Sequence, residues 1–98
     1  MMEKFMIAAF RSRLHVMAFE RAMKQQGMDA SVITTPRAVA LGCGLSVRFA
    51  PQYLGRARQL CRQLQQGSLI GFYTVMKDQA GRVIVRPAPL DRAARLNG

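Results

Sequence analysis

The chain has 98 residues, half of them hydrophobic, and carries 15 Lys+Arg against 5 Asp+Glu for a formal net charge of +10. That length suits one domain with a packed core, and the mean hydropathy of +0.02 argues against global disorder. No apolar run approaches the roughly 20 residues that would span a bilayer. With two cysteines and one histidine, neither a disulfide framework nor a four-ligand zinc site is expected, and no cofactor is implied.

The first apolar stretch, residues 5–10, carries Glu3 and Lys4 ahead of it and lacks the length and cleavage site of a secretory signal. It is expected to be a strand covered on both faces, in a cytoplasmic protein. Ser12 is a candidate N-cap for a helix running to about Gln26, closed by Gly27. Val16, Phe19 and Met23 form its inward stripe. Glu20 flanks that stripe and is a candidate partner for an arginine, and His15 falls off it, as a surface residue would.

A second strand is expected over residues 31–34, rich in β-branched side chains and stopped by Pro36. Residues 36–44 form a long connector to a third strand, 45–49. There Leu45, Val47 and Phe49 alternate with Ser46 and Arg48. A second helix is expected over about 53–66, with Leu54, Ala57, Cys61 and Leu64 inward and Gly67 as its stop. Residues 69–76 make a fourth strand, 78–81 a turn, and 82–86 a short strand pairing back.

The order β-α-β-β-α-β specifies an α+β, ferredoxin-like fold. It has one antiparallel four-stranded sheet with both helices on one face, strands one and three in the middle, and a C-terminal hairpin strand or tail. Residues 1–86 form the single domain, and 87–98 a flexible basic tail.

The chemistry concentrates at Cys43, set between Gly42 and Gly44, with Arg37 six positions before it and Arg48 five after. A thiolate is the nucleophilic form of cysteine, and nearby cations favour it. Glycines permit positive φ and a nest of N–H groups that holds an anion. Arg37, Gly42, Gly44 and Arg48 are therefore candidates for stabilising a thiolate or bound anion. The connector exceeds the two to five residues of a usual hairpin loop. Its Ala38, Val39, Ala40 and Leu41 carry no charge, so it must pack down on the domain or meet a partner.

Cys61 belongs to the inward stripe of the second helix and behaves as a small hydrophobe. Five scattered carboxylates leave little for acid–base catalysis. Twelve arginines suit phosphate, carboxylate or sulfate, which keeps nonspecific nucleic acid and an acidic protein open as partners. An aromatic platform for reading RNA is missing from the outward positions of the third strand. The apolar outer side of the fourth strand offers a homodimer contact through the sheet.

The pattern Thr35-Pro36-Arg37, five residues, Cys43-Gly44, three residues, Arg48-Phe49 resembles the signature of a small bacterial family of selenium/sulfur carrier-like proteins, formerly a domain of unknown function. The likeness covers about residues 5–75 and takes in Glu20-Arg21 midway along the first helix. It implies that Cys43 carries the chalcogen, as a persulfide or perselenide, between a donor and an acceptor protein. Family members often show a Thr-His pair at the start of the first helix, where this chain has Arg13-Leu14. The expected function is thus a sulfur or selenium carrier more than a self-sufficient enzyme. The alternative is a basic module that binds nucleic acid or an acidic protein without thiol chemistry.

Overall fold

The computed structural model describes residues 3–39, 42–65 and 67–89. Its elements are β1 (Glu3–Phe10), α1 (Arg13–Gln25), β2 (Ala30–Thr34), β3 (Leu45–Phe49), a 3-10 turn (Pro51–Tyr53), α2 (Leu54–Leu64), β4 (Leu69–Lys77) and β5 (Val83–Pro87). They form an α+β domain with one five-stranded antiparallel sheet, ordered β2-β3-β1-β4-β5.

β1 lies at the centre, and its sequence explains why. Phe5 through Phe10 are all buried, so both faces of the strand must be dry, which only a central position provides. Met6, Ala8 and Phe10 face the helices, where they meet Val47 and Phe49 of β3, Val16, Phe19 and Met23 of α1, and Ala57, Leu60 and Cys61 of α2. Both helices therefore cover the same face. The Phe10 and Phe19 rings stand 5.4 Å apart, and Phe72 bridges Phe19 and Phe49 with edge contacts at 6.4 and 6.2 Å. On the opposite face Phe5, Ile7 and Ala9 join Val39 and Val75 in a second, smaller core.

Helix α1 begins as its sequence specifies. Ser12 is extended and its hydroxyl accepts from the His15 N–H, while Gly27 follows the C-cap at φ +80°. Glu20 pairs with Lys24 at 3.5 Å, one helical turn on, rather than with an arginine.

Two expectations need correction. The sheet has five strands rather than four, since the expected hairpin strand joins it as β5 and pairs with β4 from Val83↔Lys77 to Pro87↔Tyr73. Helix α2 stops at Leu64, with Gln65 in the left-handed region at φ +52°, before Gly67 is reached. Leu64 is consequently exposed, and the inward stripe is Ala57, Leu60 and Cys61. Pro87 closes β5, and the Ala88 N–H donates to the Phe72 carbonyl at 2.9 Å. Residues 90–98 lie outside the described residues.

Phe19 is fully buried between two rings. Phe19→Ala is expected to cost about 3–5 kcal/mol, measured as a drop in the urea midpoint at unchanged slope.

Candidate functional site

The C-terminal end of β1 gathers three otherwise separate segments. The Phe10 carbonyl accepts from the Cys43 N–H at 3.1 Å, and the Arg11 N–H donates to the Ser68 carbonyl at 2.8 Å. Ser12 then caps α1. The β2–β3 connector, the start of β4 and the first turn of α1 thus converge on one end of the sheet.

Within the connector the Thr35 N–H donates to the Gly44 carbonyl at 2.9 Å, which closes the neck, and the Val39 N–H turns back to Pro36 at 3.0 Å. Val39 is buried in the outer core, so this apolar stretch packs down on the domain. Ala40 and Leu41 lie outside the described residues.

Gly42 then passes so close to β1 that an added Cβ would sit 2.8 Å from the Phe10 carbonyl oxygen and 2.7 Å from Ile70 Cδ1, at φ +114°. Gly44 has φ +85° with open space around it. Between them Cys43 is half-buried against the rim of the helix-side core. Its Sγ lies 3.7 Å from the Leu45 carbonyl, a weak contact and its one hydrogen-bond partner among the described residues.

The candidate arginines part company. Arg37 is exposed in the first turn of the connector, on the same loop as Cys43. Arg48 pairs across the sheet with Ile7 and Ser31. Its guanidinium lies 3.9 Å from the Phe5 ring centroid and 2.9 Å from Glu3. It therefore serves the outer face near the start of β1, away from the end that holds Cys43. Phe5, Phe10 and Phe49 are all buried, so β1 and β3 present no exposed ring on which a base could stack.

His15, expected at the surface, is half-buried, with Nδ1 hydrogen-bonded to Ser68 Oγ at 2.5 Å. Nothing in the sequence links two residues 53 positions apart. A second unforeseen pair, Thr35 Oγ1 and Ser46 Oγ at 2.7 Å, satisfies the fully buried Ser46 hydroxyl beside the loop neck.

Cys61 is buried as its helical register implies. Burial pushes its thiol up from the ordinary value, with Arg62 pulling weakly the other way. The unfolded chain ionises this thiol first, near pH 8.5. Below that pH both states hold the proton and stability is unaffected. Above it the unfolded state is favoured and stability falls with rising pH. Comparing denaturant midpoints at about pH 8 and pH 10 should show a steeper loss in the parent than in Cys61→Ala.

Gly42→Ala introduces both a steric clash and a strained φ, and is expected to cost more than about 2 kcal/mol. Gly44→Ala meets only the backbone strain of about 1–2 kcal/mol, so thermal unfolding should rank Gly42→Ala as the more damaging.

No helix among the described residues is long and apolar enough to cross a membrane. No curated protein and no solved structure matches the chain significantly. The family model described as "Putative Se/S carrier protein-like" matches residues 5–67, from the central strand through the Cys43 loop to the end of α2. The matched span is most of the domain that builds this site, and the chain belongs to the Se/S carrier protein-like family.

Proposed function

We propose that the protein accepts a sulfane sulfur or selenium atom on Cys43 and passes it to an acceptor protein. The observation that supports this most directly is the seating of Cys43. Its backbone is tied to Phe10, the glycines on both sides adopt positive φ, and its sulfur makes only one weak contact. A thiol so held is fixed in place yet open to a partner.

Transfer is thiol exchange. The Cys43 thiolate attacks the outer chalcogen of a donor persulfide. The donor's S–S bond breaks, its inner sulfur leaves as a thiolate, and Cys43 becomes the persulfide. The number of electrons and protons is conserved, so no oxidant or cofactor takes part. Selenium follows the same course from a donor carrying S–Se.

The remaining site residues take lesser parts. Gly42 allows the loop to press against β1, and Gly44 turns the chain into β3. Arg37, exposed on the same loop, attracts the anionic donor group. Arg48 is spent on Glu3 and Phe5 and acts in holding the sheet. The frame of β1, α1, β2, β3, α2 and β4 we take as ferredoxin-like, with β5 added at its edge; the order β2-β3-β1-β4 and the shared helical face support that assignment. A persulfide carrier works where thiols stay reduced, which favours a cytoplasmic setting.

Incubation with a cysteine desulfurase and cysteine, followed by mass spectrometry of intact protein and peptides, should find one added sulfur on Cys43. Cys43→Ser should abolish it with an unchanged circular dichroism spectrum, whereas Cys61→Ser should retain it. Full uptake by Cys43→Ser refutes the assignment.

A further inference from the structure

Helix α1 carries two apolar stripes. Successive residues advance about 100° around a helix, so Val16, Phe19 and Met23 point into the core while Leu14, Met17, Ala18 and Arg21 share the opposite side. That opposite side faces solvent. Leu14 is 80% exposed and Met17 43% exposed, and Ala18 and Arg21 are exposed beside them. A single exposed leucine needs no explanation. An apolar group at i, i+3 and i+4 on the solvent side of an amphipathic helix, with an arginine at i+7, does.

Nor does helix formation account for it. The first turn of a helix favours carboxylates, yet the first turn of α1 holds none and begins Arg13-Leu14. Arg11, Arg13, Arg21 and Arg37 have no carboxylate partner among the described residues. The acidic residue nearest the stripe, Glu20, is turned to the flank and neutralised by Lys24. The surface is therefore an apolar centre with an uncompensated cationic border. Leu14 lies four residues along the chain from Phe10, whose carbonyl holds the Cys43 backbone.

We propose that this outer face of α1, centred on Leu14, Met17 and Ala18 and bordered by Arg13 and Arg21, is the docking surface for the protein that donates the chalcogen to Cys43. The donor meets it with an apolar patch ringed by carboxylates. This rests on the carrier reading of Cys43. Its occupant follows from charge: a chain with +10 net charge repels a second copy of itself and attracts an acidic partner. The other exposed apolar pair, Val83 and Ile84, is on β5, at the sheet edge beyond β4. That strand ends in Arg86 and Pro87, which blunt an edge against pairing.

The test compares two routes of loading Cys43. Inorganic polysulfide supplies sulfane sulfur without any docking, whereas a cysteine desulfurase with cysteine must approach the surface. The double variant Leu14→Glu/Met17→Glu should load from polysulfide as the parent does. With the desulfurase its KM should rise roughly tenfold or more, as loss of a central apolar anchor implies, with kcat little changed. Arg13→Glu/Arg21→Glu should slow desulfurase loading and flatten its dependence on ionic strength.

Desulfurase kinetics unchanged in the double variant would overturn the proposal. So would a parent chain that takes sulfur from polysulfide but none from the desulfurase, with Cys43 chemistry left standing. Sedimentation showing a parent dimer that the double variant dissociates would assign the face to a second copy instead. Failure of Cys43 to load from either source would remove the carrier reading itself.

Discussion

The hydrogen bond from the Cys43 N–H to the Phe10 carbonyl is the constraint on which the site depends. Such a bond contributes only about 1 kcal/mol net, too little to hold a flexible loop alone. It suffices because both of its ends are already placed. Phe10 is anchored by a fully buried ring against Phe19. The loop is shut at its neck by the Thr35–Gly44 bond and pinned by Val39 in the outer core. Most of the ordering entropy is met by those contacts. Gly42 belongs to the same constraint, since any side chain there would strike the carbonyl that Cys43 must reach.

The two cysteines occupy contrasting positions. Cys61 sits on the buried stripe of α2, where desolvation disfavours its thiolate, so it packs as a hydrophobe would. Cys43 has one side against the core rim and the other toward solvent. The same residue type is thus core filler in one element and a partly exposed loop residue in another. The arginines divide in a parallel way. Arg48 is drawn off by a carboxylate and an aromatic face, whereas Arg37 keeps its guanidinium in solvent.

What the sequence discloses follows from the range of each interaction. The start of α1 was legible because Ser12 and its bond to His15 are local, and the β3 boundaries because alternation is a property of five adjacent residues. The tight turn around Cys43 was legible from its glycines, both of which adopt positive φ. The end of α2 was not, since Gln65 adopts a left-handed conformation with no glycine to announce it. The separation of Arg48 from Cys43 depends on strand register and on Glu3, 45 positions away in sequence. The His15–Ser68 pair depends on how β1 and β4 are joined. Long-range pairings of this kind leave no periodic trace.

The connector's length and apolar character have a common cause. A sheet with helices on one face leaves the other open to water, yet β1 turns Phe5, Ile7 and Ala9 to that side and buries all three. The cover comes from neighbours on the sheet, from the Arg48 guanidinium over Phe5, and from Val39 of the connector. A tight two-residue turn between β2 and β3 would bring nothing back across the outer face. The longer path lets Val39 reach the outer core before Gly42 returns to the end of β1. Hydrophobic burial on one side of the sheet therefore helps fix a thiol on the rim of the other. Stability and the presentation of Cys43 are coupled through a single loop, so a partner that pulled the loop away would have to expose the outer core to do it.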